Sequence, residues 1–190
     1  SKDIIDSDIR AILIIEDSPR MYSKILPFIY KEIVFQVKHL MKKNLSLSEK
    51  ILYLRGRPKV LLTTNYEGAK RLMKKYQQNI IGVISDVKFP RKNLLDEAAG
   101  FKFAQWVLKK DPSMPLVLQS NNLINEKRAN ELRISFLDKN SNTFFKDLRL
   151  HIAKNFGFGD FIFSLPINRK IKPVRNIKEL ISAIKTVPIE

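Results

Sequence analysis

The chain has 190 residues and no cysteine, and 44% of its residues are hydrophobic and 28% charged. This composition excludes intrinsic disorder, a disulfide framework and thiolate chemistry. The sequence lacks both a bilayer-spanning apolar run and the layout of a secretory signal. We therefore expect a soluble, cytoplasmic protein without a membrane partner. Lys and Arg outnumber Asp and Glu by 35 to 19, which gives a net charge of +16. Because these cations are spread along the chain, they favour a solvated basic surface over a dedicated nucleic-acid site.

Five short apolar runs are predicted to be β-strands. They are Ala11–Ile15, Lys59–Thr63, Ile80–Ser85, Leu116–Gln119 and the weaker Ile134–Leu137. Continuous apolar runs, rather than alternating ones, are typical of strands that are covered on both faces of a parallel sheet.

Amphipathic segments lie between these runs. Apolar residues recur at helical spacing in 66–76, 101–108, 125–133 and 143–156. The alternation of strands and helices predicts an α/β domain with a doubly wound, five-stranded parallel sheet and right-handed crossovers.

The first helical region is longer than a compact unit needs. Helical pattern runs from Ser18 to Arg57, Pro27 interrupts it, and Ser46 has the character of a new helix cap. We predict a long, kinked first helix and then a short helix, with an insertion at about 38–57.

The chain is predicted to divide near its C-terminal end. We assign 8–155 to the main domain and 156–190 to an extension made of a hairpin and a final helix, or to a linker that leads to a further domain. A hairpin and one helix bury too little surface to be stable alone, so we expect the extension to pack on the main domain or to belong to something longer.

Acidic and polar residues follow the predicted strands. Glu16 and Asp17 end the first strand, Asp86 ends the third, Ser120 ends the fourth, and Lys139 follows the fifth. In open α/β sheets chemistry gathers at the carboxyl ends of the strands. Three carboxylates at one edge favour a hard cation such as Mg²⁺, and the added hydroxyl and ammonium groups predict a site for a transferring phosphoryl group.

At these residues the sequence resembles the receiver domains of two-component response regulators (CheY-like), over roughly residues 10–155. The resemblance rests on Ile14–Ser18, on Asp86–Pro90 with its proline, on Gly100 and the helix that follows it, on Asp111–Val117, and on Ser120 and Phe136 at the switch positions. It implies a flavodoxin-like sheet of strand order 2-1-3-4-5.

The resemblance implies a phosphoryl acceptor and a metal site. Asp86 would attack the phosphorus atom of a phosphohistidine or a small acyl phosphate. Glu16, Asp17, Asp86 and the backbone carbonyl of Lys88 would hold Mg²⁺. The chain would then be a signalling switch, not an enzyme, apart from its own phosphorylation and dephosphorylation.

The resemblance also implies how the switch works and which proteins use it. Lys139 would pair with the phosphoryl oxygens, Ser120 would move to hydrogen-bond one of them, and Phe136 would rotate inward in response. A sensor histidine kinase or a phosphotransfer protein would be the partner, and homodimerisation is left open.

Three features depart from the family pattern. Asn121 replaces the usual small residue after the switch hydroxyl, which narrows access for the donor. Asn140 replaces the proline that usually follows Lys139, which puts the expected cis peptide in doubt. The segment Arg91–Ala99 lengthens the loop beside Asp86, and such a loop could cover the site.

The C-terminal extension carries a second resemblance. Phe156–Phe163 and the helical pattern Ile177–Val187 look like the linker that follows receivers fused to phosphoenolpyruvate synthase-type or pyruvate phosphate dikinase-type enzymes. This implies an enzymatic domain further along a longer chain.

Two other functions are compatible with parts of the sequence. A receiver-like binding module would use the basic surface to contact nucleic acid or an acidic protein. A phosphatase that uses Asp86 as nucleophile is disfavoured, because Lys88 stands where such enzymes have a second acid. The five polar residues at the strand ends favour the phosphoryl switch.

Overall fold

The computed structural model describes Ile4 and residues 9–41, 46–47 and 57–156. The strands are β1 (Ala11–Ile15), β2 (Lys59–Thr63), β3 (Ile80–Asp86), β4 (Phe89–Arg91), β5 (Leu94–Asp96), β6 (Leu116–Ser120) and β7 (Ser135–Asp138). The helices are α1 (Pro19–Met41), α2 (Tyr66–Lys75), α3 (Ala99–Leu108), α4 (Ile124–Glu131) and α5 (Phe144–Asn155).

Five of the strands form a parallel sheet with the order β2-β1-β3-β6-β7. The predicted α/β class and the order 2-1-3-4-5 are therefore confirmed, since β6 and β7 are the fourth and fifth strands of this sheet. The order places β1 next to β3 and β3 next to β6, so the residues that end these strands meet at one edge.

The sheet is covered on both faces. Leu13 and Ile15 of β1 face a core built with α2, α3 and α4, whereas Ile12 and Ile14 face a second core built with α1 and α5. All five residues of β1 are fully buried. Because helices cover both faces of the sheet, the sequences of the strands are continuous apolar runs.

Helix α1 continues through Pro27 to Met41, which confirms the predicted long first helix, whereas the kink at Pro27 stays a prediction. Ile25, Ile29 and Ile33 are buried against the sheet, whereas Pro27 lies on the exposed side. Because proline removes only one intrahelical hydrogen bond, and water can reach the carbonyl left without a donor, the buried apolar stripe is enough to keep the helix continuous.

A two-stranded antiparallel hairpin, β4–β5, was not predicted and replaces the expected loop at Arg91–Ala99. Its two-residue turn places Lys92 and Asn93 at φ values of 53° and 61°, the left-handed conformation that tight hairpin turns of this kind need. The main-chain N–H of Lys92 donates to Glu67 Oε1 at 3.1 Å, so the turn is fixed to α2.

Two predictions fall outside the described residues. One is the short helix that was expected to end near Gly56, and the other is the C-terminal hairpin and helix beyond Phe156. The proposed domain boundaries remain predictions. Within the described ranges, none of the helices is both long and apolar enough to cross a membrane.

Candidate phosphoryl-accepting site

Three carboxylates meet at the carboxyl ends of β1 and β3. Glu16 and Asp17 follow β1, Asp86 is the last residue of β3, and one oxygen from each lies within 4.8 Å of the others. The parallel pairing of β1 with β3 produces this cluster, because Ile15 is in register with Ser85 and both strands end at the same level. Glu16 is fully buried, whereas Asp17 and Asp86 are partly exposed.

Lys139 supplies the positive charge of this cluster. Its Nζ lies 2.7 Å from Glu16 Oε2 and 2.7 Å from Asp86 Oδ2. The main chain of Lys139 is held by β6, since its N–H donates to the carbonyl of Ser120 at 2.9 Å. The peptide bond between Lys139 and Asn140 is trans, unlike the cis bond that the family pattern has at this place.

The site carries more negative than positive charge. When all three carboxylates are ionised, one ammonium leaves an excess of two negative charges, which one divalent cation would balance. Burial, followed by the negative charge of Asp86, raises the pKa of Glu16 to about 7, although Lys139 acts in the opposite direction. Burial also raises the pKa of Asp17. A bound cation would relieve this cost of bringing the carboxylates together.

Glu16 is fixed from three sides. The main-chain N–H of Ser18 donates to Glu16 Oε1 at 3.2 Å, and Gln119 Nε2 donates to Glu16 Oε2 at 2.9 Å, the same oxygen that Lys139 contacts. Gln119 is fully buried, and its Oε1 has no hydrogen-bond partner among the described residues. Gln119 was not predicted as a site residue, although a polar residue inside the apolar run that precedes Ser120 was a visible indication.

An open cleft of about 620 Å³ lies over the acidic cluster. Asp17, Asp86 and Lys139 line its floor, and Ser120 and Lys88 line it as well, so the structure brings all of these predicted residues together. Phe136 is different: it is half-buried and packs against the core on the α2–α4 side of the sheet.

The walls of the cleft come from the hairpin region, where the sequence predicted a loop beside Asp86, and from the segment between β6 and α4. Leu95 and Glu97 of the hairpin region form one side, and Glu97 makes an ion pair with Lys88. The other side is formed by Asn121, Asn122, Asn125 and Arg128. The hairpin therefore borders Asp86, where the sequence suggested a covering loop.

The backbone at Asp86 is tightly held. The N–H of Val87 donates both to Asp86 Oδ1 at 2.7 Å and to the carbonyl of Gln119 at 3.1 Å, which fixes the end of β3 against β6. Gly100 packs so closely that a Cβ atom there would lie 2.2 Å from the carbonyl oxygen of Asp86. The absence of a side chain at Gly100 is what permits α3 to begin beside the acidic residue.

Solved structures of receiver domains are similar to this chain. A receiver-domain protein from Clostridium thermocellum has a TM-score of 0.53 and 18% identity, covering 76% of this chain and 91% of its own. The receiver domain of a sensor histidine kinase from Pseudomonas aeruginosa has a TM-score of 0.51 and 14% identity, covering 78% of this chain and 98% of its own, and it holds a magnesium ion in its active-site cleft. No family model matches the sequence, and no curated protein does so either. The fold is that of response-regulator receiver domains.

Proposed function

We propose that this chain is a phosphoryl-accepting receiver whose phosphorylated residue is Asp86. The observation that carries the proposal is the placement of Asp86 beside Glu16, Asp17 and Lys139 on the floor of an open cleft. A partly exposed carboxylate next to an ammonium group, in a site with room for a donor, can act as a nucleophile toward phosphorus.

In the proposed reaction a carboxylate oxygen of Asp86 forms a bond to the phosphorus atom. The bond between phosphorus and the donor's oxygen or nitrogen breaks, and the leaving group keeps the electron pair. The product is an acyl phosphate, and no oxidant or reductant takes part. Lys139 already lies 2.7 Å from Asp86 and would pair with a phosphoryl oxygen, while the hydroxyl of Ser120 would donate to another.

Magnesium fits the residues present. The three carboxylate oxygens lie within 4.8 Å of one another, near the span of about 4 Å across an octahedral Mg²⁺ ion, and hard oxygen ligands are those that Mg²⁺ prefers. Glu16, Asp17, Asp86 and the backbone carbonyl of Lys88 would hold it. Bound there, the ion would neutralise charge on the phosphoryl group.

The signalling role follows from the same site. A phosphoryl group adds negative charge at the ends of β3 and β6, and movement of Ser120 toward it would open space for Phe136, which lies on β7. The donor would be a sensor histidine kinase or a phosphotransfer protein, whose phosphohistidine would enter the cleft.

The test is mass spectrometry after incubation with acetyl phosphate. We expect a single phosphoryl adduct that needs Mg²⁺, maps to Asp86 and is absent from Asp86→Asn. Asp138→Asn is the matched control, because Asp138 also ends a strand of the sheet but lies outside the acidic cluster. An adduct that persists in Asp86→Asn, or its absence from the unaltered chain, would contradict the proposal.

A second candidate function has one specific observation in its favour. Lys70 of α2 and Lys110, just beyond α3, both lie over the ring of the half-buried Trp106, at 4.9 and 4.8 Å from its centroid. Other exposed or partly exposed basic residues of α2 and of the end of α3 follow or precede them in the chain, and we call the six together the basic face: Lys70, Arg71, Lys74, Lys75, Lys109 and Lys110. None of the six forms an ion pair with another described residue, so the face could bind the phosphates of a single-stranded nucleic acid.

The two functions can be separated by a binding measurement. Anisotropy of a labelled single-stranded DNA, followed over a range of NaCl concentrations, would show salt-dependent binding if the basic face is used. Lys70→Glu with Lys110→Glu should then abolish binding, whereas Lys146→Glu with Lys154→Glu on α5 should reduce it less. Equal losses in the two double variants would indicate attraction to overall charge alone.

A further inference from the structure

The hydroxyl of Ser120 accepts two hydrogen bonds. The main-chain N–H of Asn122 donates to Ser120 Oγ at 3.1 Å, and the side-chain amide of Asn125 donates to the same atom at 3.0 Å. Ser120 is only 7% exposed and ends β6, whereas Asn125 lies in the first turn of α4. One bond thus comes from the adjoining loop and the other from a helix.

These two bonds leave only the O–H donor of the Ser120 hydroxyl available. A serine hydroxyl has two acceptor lone pairs and one O–H donor, and both lone pairs are engaged here. No described residue accepts the Ser120 proton in the structure. Because Ser120 lines the same cleft as Asp86, its O–H is left to donate to a group bound in that cleft.

The orientation of the Asn125 amide decides this outcome. Its NH₂ group, not its carbonyl oxygen, faces Ser120 Oγ. The reverse orientation would place an acceptor beside the hydroxyl and would take the proton that a phosphoryl oxygen needs. The contact between these two side chains therefore selects the direction in which Ser120 donates.

We propose that Asn125 is a positioning residue that commits the Ser120 hydroxyl to donate to the phosphoryl group on Asp86. The proposal rests on the function proposed above and adds a residue to it. Asn125 touches neither Asp86 nor Lys139 in the described contacts, so it acts through Ser120. A net hydrogen bond is worth about 0.5–1.5 kcal/mol, which corresponds to about a 2- to 12-fold effect on rate.

Asn125→Asp is the sharpest variant because it keeps the shape of the side chain and reverses the polarity of the bond. The new carboxylate would accept the proton of Ser120 and remove it from the cleft. It also adds a negative charge, and Asn122→Asp controls for this. Asn122 lines the same cleft, its bond to Ser120 comes from the main chain, and an aspartate there keeps the cap that its side chain makes with the N–H of Ile124.

The first measurement is the rate of phosphorylation by acetyl phosphate with Mg²⁺. We expect Asn125→Asp to be slower than Asn122→Asp by a further factor of about 2 to 12, and Asn125→Ala to be slower than the unaltered chain by a smaller factor. When Ser120 is also replaced by alanine, the two aspartate variants should have equal phosphorylation rates. If Asn125→Asp disturbed the structure in general, its rate would stay lower even without Ser120. Equal rates of the two with Ser120 present, or a faster Asn125→Ala, would overturn the proposal.

A second measurement keeps this test separate from that of the proposed function. The side-chain NH₂ resonances of Asn125 should shift in Ser120→Ala, since one amide proton loses its acceptor, while those of Asn130, an exposed residue of α4, should not. If the unaltered chain accepts no phosphoryl group, the proposed function fails, whatever the NMR result. If it does accept one and the Asn125 resonances do not move, only the role of Asn125 is refuted.

Discussion

Gly100 lies directly against the main chain of Asp86. A Cβ atom at Gly100 would lie 2.2 Å from the Asp86 carbonyl oxygen and 2.8 Å from the Cα of Val87, and the N–H of Gly100 donates to the Val87 carbonyl at 2.9 Å. The atoms in the way belong to the backbone and cannot rotate aside as a flexible side chain can. The start of α3 and the proposed phosphoacceptor are thus positioned by one contact.

Gly100→Ala should therefore impair the site at Asp86. The methyl group would push the end of β3 away from α3, and small displacements of reacting groups can cost about 100-fold in rate. We expect phosphorylation by acetyl phosphate to fall by about 10- to 100-fold while the α/β fold, followed by circular dichroism, is retained. Gln105→Ala, on the exposed side of α3, is the control; an unchanged rate in Gly100→Ala would show that the contact is not needed.

Lys139→Met should destabilise the chain much more than loss of a surface cation. Lys139 is 5% exposed in its side chain and lies between two carboxylates, and removal of one partner from a buried ion pair costs about 3–5 kcal/mol. Added Mg²⁺ should recover part of the loss by supplying positive charge. The measurement is urea unfolding with and without MgCl₂.

Lys102→Met provides the comparison for Lys139→Met. Lys102 also lies 2.7 Å from a carboxylate oxygen, that of Asp96, but its side chain is 43% exposed. Exposed ion pairs contribute about 0–1 kcal/mol, so the free energy of unfolding of this variant should be close to that of the unaltered chain. Similar losses in the two variants would refute the view that burial makes Lys139 special.

Gly82→Ala should disturb the packing of Phe156. A Cβ atom at Gly82 would lie 2.4 Å from Cδ1 of the Phe156 ring, which is buried beneath β3. Overpacking of this kind costs about 1–3 kcal/mol, and Phe156→Ala alone about 3–5 kcal/mol. In the double variant the methyl group would occupy space that the ring leaves, so the combined loss in urea unfolding should be smaller than the sum. Strict additivity would contradict this packing.

His151 should make stability depend on pH. Burial lowers its pKa from 6.5 to about 4, so between these values the unfolded chain binds a proton that the folded chain does not. The contribution is complete above pH 6.5 and is lost as the pH falls toward 4; its size is on the order of 3 kcal/mol. The free energy of unfolding of the unaltered chain and of His151→Leu is measured in urea at several pH values, and the difference between the two should change between pH 6.5 and 4. A difference that stays constant over this range would refute the lowered pKa of His151.

The sequence predicted the sheet well because its strands are buried on both faces. Ala11–Ile15 is apolar throughout and matches β1 residue for residue, and the acids at the strand ends follow from the topology. Burial also explains why α1 continues through Pro27, because the isoleucines that α1 buries against the sheet offset the lost hydrogen bond.

The walls of the site were harder to predict. The β4–β5 hairpin turns at Lys92 and Asn93, which lack the Asn-Gly or Asp-Gly pair that usually marks such a turn. Gln119 and Asn125 act through contacts with Glu16 and Ser120, and these contacts depend on side-chain directions that strand and helix periodicity do not contain.

The hydrogen bond between Ser120 and Asn125 joins the carboxyl end of β6 to the first turn of α4. The proposed phosphorylation of Asp86 and any binding of a protein at the α4 surface would therefore share a thermodynamic cycle. By reciprocity, a protein that binds α4 more tightly when Asp86 carries a phosphoryl group must stabilise the phosphorylated form by the same factor. A single hydrogen bond would limit the coupling through this contact to about 2- to 12-fold, so an all-or-none response would need further contacts that change together.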